Sequence, residues 1–189
     1  MKYYEEYKVN IPEGQSGDFK IQKFIVNKKD AFSFNISNMF QRSIEPGTYT
    51  KLVATNRLIM SDTPAEISDH LEIIYQAKGN VLINGLGIGM VVIVCARKKE
   101  VKKIIVNEIS EDVIKLVAPF LKFKKKIQIN HIDAFDYKPN GIRFNTVWHD
   151  IWDEICEDNN DEMSKLCRRY GRWLQKPHWQ KCWGRYQWR

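Results

Sequence analysis

Apolar positions along this chain of 189 residues change their spacing at about residue 62. Before it they tend to alternate with polar ones. Lys20-Ile-Gln-Lys-Phe-Ile-Val does so roughly and Phe32-Ser-Phe-Asn-Ile-Ser cleanly, the period of a half-buried strand. Thr48-Tyr-Thr-Lys-Leu-Val-Ala and Arg57-Leu-Ile-Met flank Thr55-Asn56, a predicted hairpin turn, and Gly14 to Gly17 and Glu45-Pro-Gly punctuate the segment. Asp62-Thr63-Pro64-Ala65-Glu66 then predicts a helix start, with Thr63 as cap, Pro64 in the first turn and Glu66 closing a capping box. Ile67, Leu71, Ile74 and Tyr75 would share one face, and the helix stops at Lys78-Gly79. Beyond it, short apolar runs at 81–84, 103–107, 127–130 and 144–149 alternate with helical stretches at 88–98, 111–121 and about 161–174. That alternation predicts an α/β, Rossmann-like architecture with a mostly parallel sheet, preceded by a β-rich N-terminal unit. The expected organisation is a β-rich unit over 1–62, a Rossmann-like core over 63–155, and a C-terminal helix and tail packed on that core over 156–189.

Asn80-Val-Leu-Ile-Asn-Gly-Leu-Gly-Ile-Gly carries the strongest chemical signal. A buried strand runs into glycines at 85, 87 and 89, where missing side chains let backbone N–H groups approach a ligand. Nineteen residues past Gly89, Glu108 ends the next apolar run, placed to accept hydrogen bonds from both hydroxyls of a ribose. Open α/β sheets bind ligands beyond the carboxyl ends of their strands. Asp133-Ala134 and His149-Asp150 occupy two further ends. Asp133 is placed to accept from an adenine amino group, and Asp150 lies where the reactive end of the ligand would project. Their plainer role is capping the helices that follow. His149 and Asp150 are the acid–base candidates, with Asp62 and His70 behind them. A nicotinamide cofactor competes for the same turn, but its usual spacing needs Gly where this chain has Met90.

Composition is that of an ordinary globular chain, 43% hydrophobic and 28% charged. No apolar run reaches the roughly 20 residues of a membrane span. Met-Lys-Tyr-Tyr-Glu-Glu opens the chain without the apolar stretch of a secretory signal, so a cytoplasmic location and no membrane partner are expected. The net charge of +7 is unevenly spread. Clusters at 97–103 and 122–126 close a helix and precede a strand, positions where cations are commonly solvated. Arg168, Arg169, Arg172, Lys176, Lys181, Arg185 and Arg189 are different: they interleave with Trp173, Trp179, Trp183 and Trp188. Such a tail suits either nucleic acid, through stacking and phosphate contacts, or the cover of an open sheet edge. Trp148 and Trp152 flank the candidate active turn and would wall an acceptor pocket. Cys156, Cys167, Cys182 and His178 follow no zinc-finger spacing, so reduced cysteines and no metal are expected.

Gly85-x-Gly87-x-Gly89, Glu108, Asp133-Ala134 and Val147-Trp-His-Asp150 together resemble class I S-adenosylmethionine-dependent methyltransferases. The resemblance covers roughly residues 45 to 155. Tyr49-Thr-Lys-Leu, Met60-Ser-Asp-Thr-Pro-Ala-Glu and Trp148-His-Asp-Ile-Trp are similar to short phage proteins described as methyltransferase-like. The spermidine synthase family shares the plan, and Asp150-Ile-Trp-Asp153-Glu154 is similar to its Asp-x-x-Asp-Pro segment. The resemblance implies S-adenosylmethionine as cofactor. It would be held by Asn84, Gly85, Gly87, Gly89, Glu108, Ile109, Asp133 and Ala134, with Asp150 and His149 near the reacting centre. It implies methyl transfer to an acceptor it does not identify, with aminopropyl transfer, or an inactive accessory protein touching nucleic acid, as alternatives. Asn84 stands where many methyltransferases carry an acid. With 39 residues after Asp150, an abbreviated sheet is expected.

Overall fold

A computed structural model describes residues 4–39, 42–154 and 156–184. Two sheets organise it. The N-terminal one is antiparallel and four-stranded, in the order β1-β2-β3-β4, formed by Gly14–Ser16, Phe19–Val26, Gly47–Ala54 and Arg57–Ser61. The predicted hairpin at Thr55-Asn56 joins β3 to β4, with Thr55 at a φ of 55°.

One element departs from expectation. Lys28–Ser37 is a helix, α1, not a strand. The Asn27 side chain caps it, its Oδ1 accepting from the Asp30 N–H at 2.9 Å, so local capping prevails over the alternating pattern. The consequence is visible on the surface: Phe32, Phe34 and Ile36 are 65%, 46% and 50% exposed. A period-two pattern wound into a helix of 3.6 residues per turn cannot gather on one face.

The second sheet is parallel and five-stranded. Its strands are β5 (Gly79–Asn84), β6 (Val101–Glu108), β7 (Ile127–His131), β8 (Phe144–His149) and β9 (Leu174–Cys182), in the order β7-β6-β5-β8-β9. Helices α2 (Pro64–Gln76), α3 (Met90–Arg97), α4 (Glu111–Val117) and α5 (Asn160–Gly171) connect or flank them. This is a Rossmann-like α/β fold: the chain winds from β5 to one edge, then returns to β8 and winds to the other. The strand order reverses between β5 and β8, where such sheets leave a ligand crevice.

β9 is the element the sequence hides. Residues 174–182 do not form a separate tail but pair with β8, His149 opposite Cys182. Lys176 and Pro177 mark it as an edge strand, with little of the apolar pattern that announced the others.

Alternate residues of each strand face two cores. Val81, Ile83, Ile104, Val106 and Trp148 join Ile67 and Ile73 of α2, Met90 and Ile93 of α3, and Ile21 and Leu52 of the N-terminal sheet in one apolar cluster. Leu82, Ile105 and Val147 face Leu166 and Tyr170 of α5 in the other. The antiparallel sheet therefore shares its core with the parallel one. α2 begins at Pro64 as expected, but Thr63 does not cap it; its hydroxyl lies 3.0 Å from that of Ser61.

Candidate functional site

At the carboxyl ends of β5, β6 and β8 the two sheets enclose a cavity of about 370 Å³, within the usual range for small-molecule sites. Gly85, Gly87, Glu108, Ile109, Asp133, Ala134 and Asp150 line it. The N-terminal sheet closes the far side with Leu52, Arg57 and Met60, and α2 contributes Glu66.

Glycine is required in this turn chiefly for packing. Gly85 sits at a φ of 100°, and a Cβ there would lie 1.9 Å from the Asp150 carbonyl oxygen. At Gly87 a Cβ would meet the Met60 sulfur at 2.3 Å. The space expected for a ligand at these two positions is taken by the chain itself, while the turn's remaining surface borders the cavity. Gly89 lies behind it, opening α3 and packed against Leu121 and Val117.

Glu108 is 9% exposed. One carboxylate oxygen accepts from the Leu86 N–H and the other from the Ser110 N–H, each at 2.8 Å, so this acid fastens the glycine turn to the start of α4. Burial pushes its pKa up, and those N–H groups oppose the shift. Each oxygen keeps a second lone pair for a further donor. Asp133 uses Oδ1 to hold the Phe135 N–H at 2.7 Å, the turn-capping role, while bordering the cavity.

The acid–base candidates separate. Asp150 lines the cavity, and its Oδ2 is 2.7 Å from Nε2 of His70 on α2. The other nitrogen of that ring lies 2.8 Å from the Glu66 carbonyl oxygen, which can only accept, so Nδ1 carries a proton. His70 is 1% exposed. Burial alone would lower its pKa, but the Asp150 carboxylate outweighs it and holds the imidazole at about 9. No sequence signal links these partners, 80 positions apart. Glu66, read as a capping residue, instead borders the cavity with its carboxyl raised to about 7, by burial first and by Asp150 and Asp69 next, against the pull of His70 and Arg42.

His149 is fully buried and does not line the cavity; neither does Asn84. Both belong to a row of side-chain hydrogen bonds crossing the whole parallel sheet. Asn130 of β7 donates to Asn107 of β6 at 3.0 Å, and Asn107 to Asn84 of β5 at 2.8 Å. Asn84 then donates to His149 Nδ1 of β8 at 2.7 Å, and His149 Nε2 meets Gln180 of β9 at 3.0 Å. Asn84 and His149 lie on the α5 face, sharing strand parity with Leu82 and Val147. Amide nitrogens thus face both ring nitrogens of His149, and a neutral imidazole accepts on one of them. Asp62 is structural as well: its oxygens accept from the Thr50 and Val9 N–H groups at 2.6 and 3.2 Å, and it does not line the cavity.

Of the tryptophans, Trp152 and Trp183 border the cavity. Trp148 stacks on Trp179 of β9 at 5.9 Å, and Trp173 lies under the Arg143 guanidinium. Arg185, Trp188 and Arg189 fall outside the described residues. Cys167 and Cys182 place their sulfurs 3.6 Å apart as thiols, and among the described residues no group of three or more metal-ligating side chains gathers. Among the same residues no helix is long and apolar enough to cross a membrane.

No family model and no curated protein matches this chain. Solved structures do. The N-methyltransferase NodS from Bradyrhizobium japonicum matches at 14% identity over 58% of this chain and 62% of its own, with a TM-score of 0.47. The CcbJ methyltransferase from Streptomyces caelestis matches at 18% identity over 57% and 46%, with a TM-score of 0.46. A S-adenosylmethionine-dependent methyltransferase from Clostridium acetobutylicum matches at 14% identity over 58% and 43%, with a TM-score of 0.42. The matches thus span about half the length of each of these proteins.

Proposed function

We propose that this chain binds S-adenosylmethionine in the cavity between the sheets and transfers its methyl group to an acceptor that enters from the Glu66 and Asp153 side. The observation that carries this reading is the meeting of the glycine turn, Glu108 and Asp133-Ala134 around one cavity at the point where the strand order reverses. Glu108 would receive the ribose hydroxyls on its remaining lone pairs, and Asp133 with Ala134 the adenine edge. The lining holds five carboxylates, Glu66, Glu108, Asp133, Asp150 and Asp153, against one cation, Arg57, itself paired with Asp153, so it favours a positively charged ligand. The bound cofactor supplies a methyl carbon made electrophilic by sulfonium.

The chain's own residues do the rest. The fixed Asp150, held by His70, orients the acceptor, since alignment is the larger part of a displacement reaction. Glu66 is matched to take up a proton near neutral pH, because a base works best with a pKa close to ambient. His149 supports the site from beneath the sheet and does not act in it. Aminopropyl transfer from the decarboxylated cofactor is the second reading, favoured by the clustering of Glu66, Asp150 and Asp153, which suits an amine acceptor.

Calorimetric titration with S-adenosylmethionine, its decarboxylated form and NAD, on wild type and Glu108→Gln, tests the proposal. Micromolar binding of the first, weakened at least tenfold in the variant, is the expected result. Preference for the decarboxylated form selects aminopropyl transfer. Failure of all three ligands to bind overturns the reading.

A further inference from the structure

The two basic clusters that need no partner when read one at a time are brought together by the fold. β6 and β7 run in parallel with Ile104 opposite Ile127, so Lys102-Lys103 and Lys125-Lys126 enter the sheet side by side at its amino ends. Lys126 Nζ reaches across to the carbonyls of Ala96 and Lys98 at 3.3 and 3.1 Å, tying segment 118–126 to segment 97–103. Lys98 likewise serves the last carbonyls of α2. These two lysines are structural. Lys99, Lys102, Lys122, Lys124 and Lys125 remain exposed, and Glu100 is the one acid in either segment.

Aromatic rings stand among these cations. Phe120 and Phe123 are 43% and 45% exposed, on either side of the buried Leu121. Phe123 has a φ of 64°, in the left-handed region that bulky residues avoid. The Lys126 N–H bonds its carbonyl at 2.9 Å, so the turn that presents the ring is built and anchored. A large apolar side chain held out in that conformation between lysines has no role in the core.

We propose that this amino-end corner binds a single-stranded polynucleotide, with bases stacked on Phe120 and Phe123 and phosphates met by Lys99, Lys102, Lys122, Lys124 and Lys125. Exposed aromatics interleaved with cations form the platform that such strands require, because every base offers a stacking face and every linkage a charge. The corner lies at the end of the sheet opposite the cavity, and binding there is independent of the cofactor reading.

Fluorescence anisotropy with short labelled uridine and thymidine oligonucleotides tests it. Binding is expected to weaken with salt, with a log–log slope of about −0.7 per phosphate contacted. Lys122→Glu/Lys124→Glu/Lys125→Glu should flatten that slope by about 2 and cut affinity at least tenfold. Phe123→Gly, which relieves the positive φ and therefore folds, should weaken binding roughly tenfold with the slope unchanged. No binding, full affinity in the triple variant, or full affinity in Phe123→Gly overturns the proposal, the last by reducing the corner to a diffuse charge. Equal competition by polyglutamate does so as well. Calorimetry of the same variants with S-adenosylmethionine should match wild type, which separates a failure here from a failure of the cavity reading.

Discussion

The two ends of the parallel sheet are made by the same five strands and carry opposite charge. At the carboxyl ends, Glu66, Glu108, Asp133, Asp150 and Asp153 line one cavity. At the amino ends, Lys99, Lys102, Lys122, Lys124 and Lys125 stand in water. Topology supplies the sorting. α4 starts at the carboxyl end with Glu111 and Asp112, and α3 finishes at the amino end with Arg97, each charge complementing a helix terminus. Burial supplies the difference in kind. Burial raises the pKa of Glu66 and Glu108 at the carboxyl end, whereas the cations at the amino end are solvated.

This contrast predicts effects that shrink on passing from one end to the other. The largest is expected at Gly85→Ala, where the new Cβ collides with the Asp150 carbonyl and the backbone is left-handed. Chemical denaturation should show a loss of about 3 kcal/mol or more. His70→Ala comes next, because it leaves Asp150 without its buried partner; a loss of about 3 kcal/mol is expected, and Asp150→Asn in the same background should recover part of it.

The third effect is on pH. Glu66 has a folded pKa of about 7, above its ordinary 4.5, so the folded state holds an extra proton and stability falls as pH rises from about 4.5 to 7. His70 is raised to about 9, so what its partner contributes is complete below about 6.5 and lost as pH climbs through 9. The two act in the same direction, and Tm should drop by roughly 5–10 °C between pH 5 and 9. Glu66→Gln should flatten the lower half of that curve and leave the upper half standing; a flat wild-type curve would undo the assignment. At the amino end, Lys126→Met removes two carbonyl contacts and should cost about 1 kcal/mol. Lys99→Glu should change stability by less than about 0.5 kcal/mol. An effect at Lys99 as large as that at His70 would erase the distinction between the two ends.

How far each region could be read in advance follows from the same burial. β5, β6 and β8 are covered on both faces and announce themselves as apolar runs, and the acids at their ends follow by counting. β9 is an edge strand of Gln, Lys, Pro and His, whose pairing depends on β8 and not on its own pattern. In α1 the alternation misled because hardly any of the helix is buried, leaving the Asn27 cap to choose. His149 sits one residue before a strand-end acid, as a catalytic histidine would; only its neighbours Asn84 and Gln180, on other strands, reveal its structural role. The His70–Asp150 pair is the converse, a partnership across 80 positions that only the tertiary fold creates.

The row from Asn130 to Gln180 has a consequence for how this protein can change. Every amide from Asn130 to Asn84 donates in the same direction, and that direction ends at His149, which the Gln180 amide nitrogen approaches from the opposite side. Replacing Asn84 strands the Asn107 donor on one side and the His149 ring on the other, in the interior where neither reaches water. No single step leads from this row to an apolar one without passing through a costly intermediate. The strand ends beneath the cavity are thus inherited as a block: loops above them are free to drift, while the buried Asn107, Asn84 and His149 that carry them can be exchanged only together.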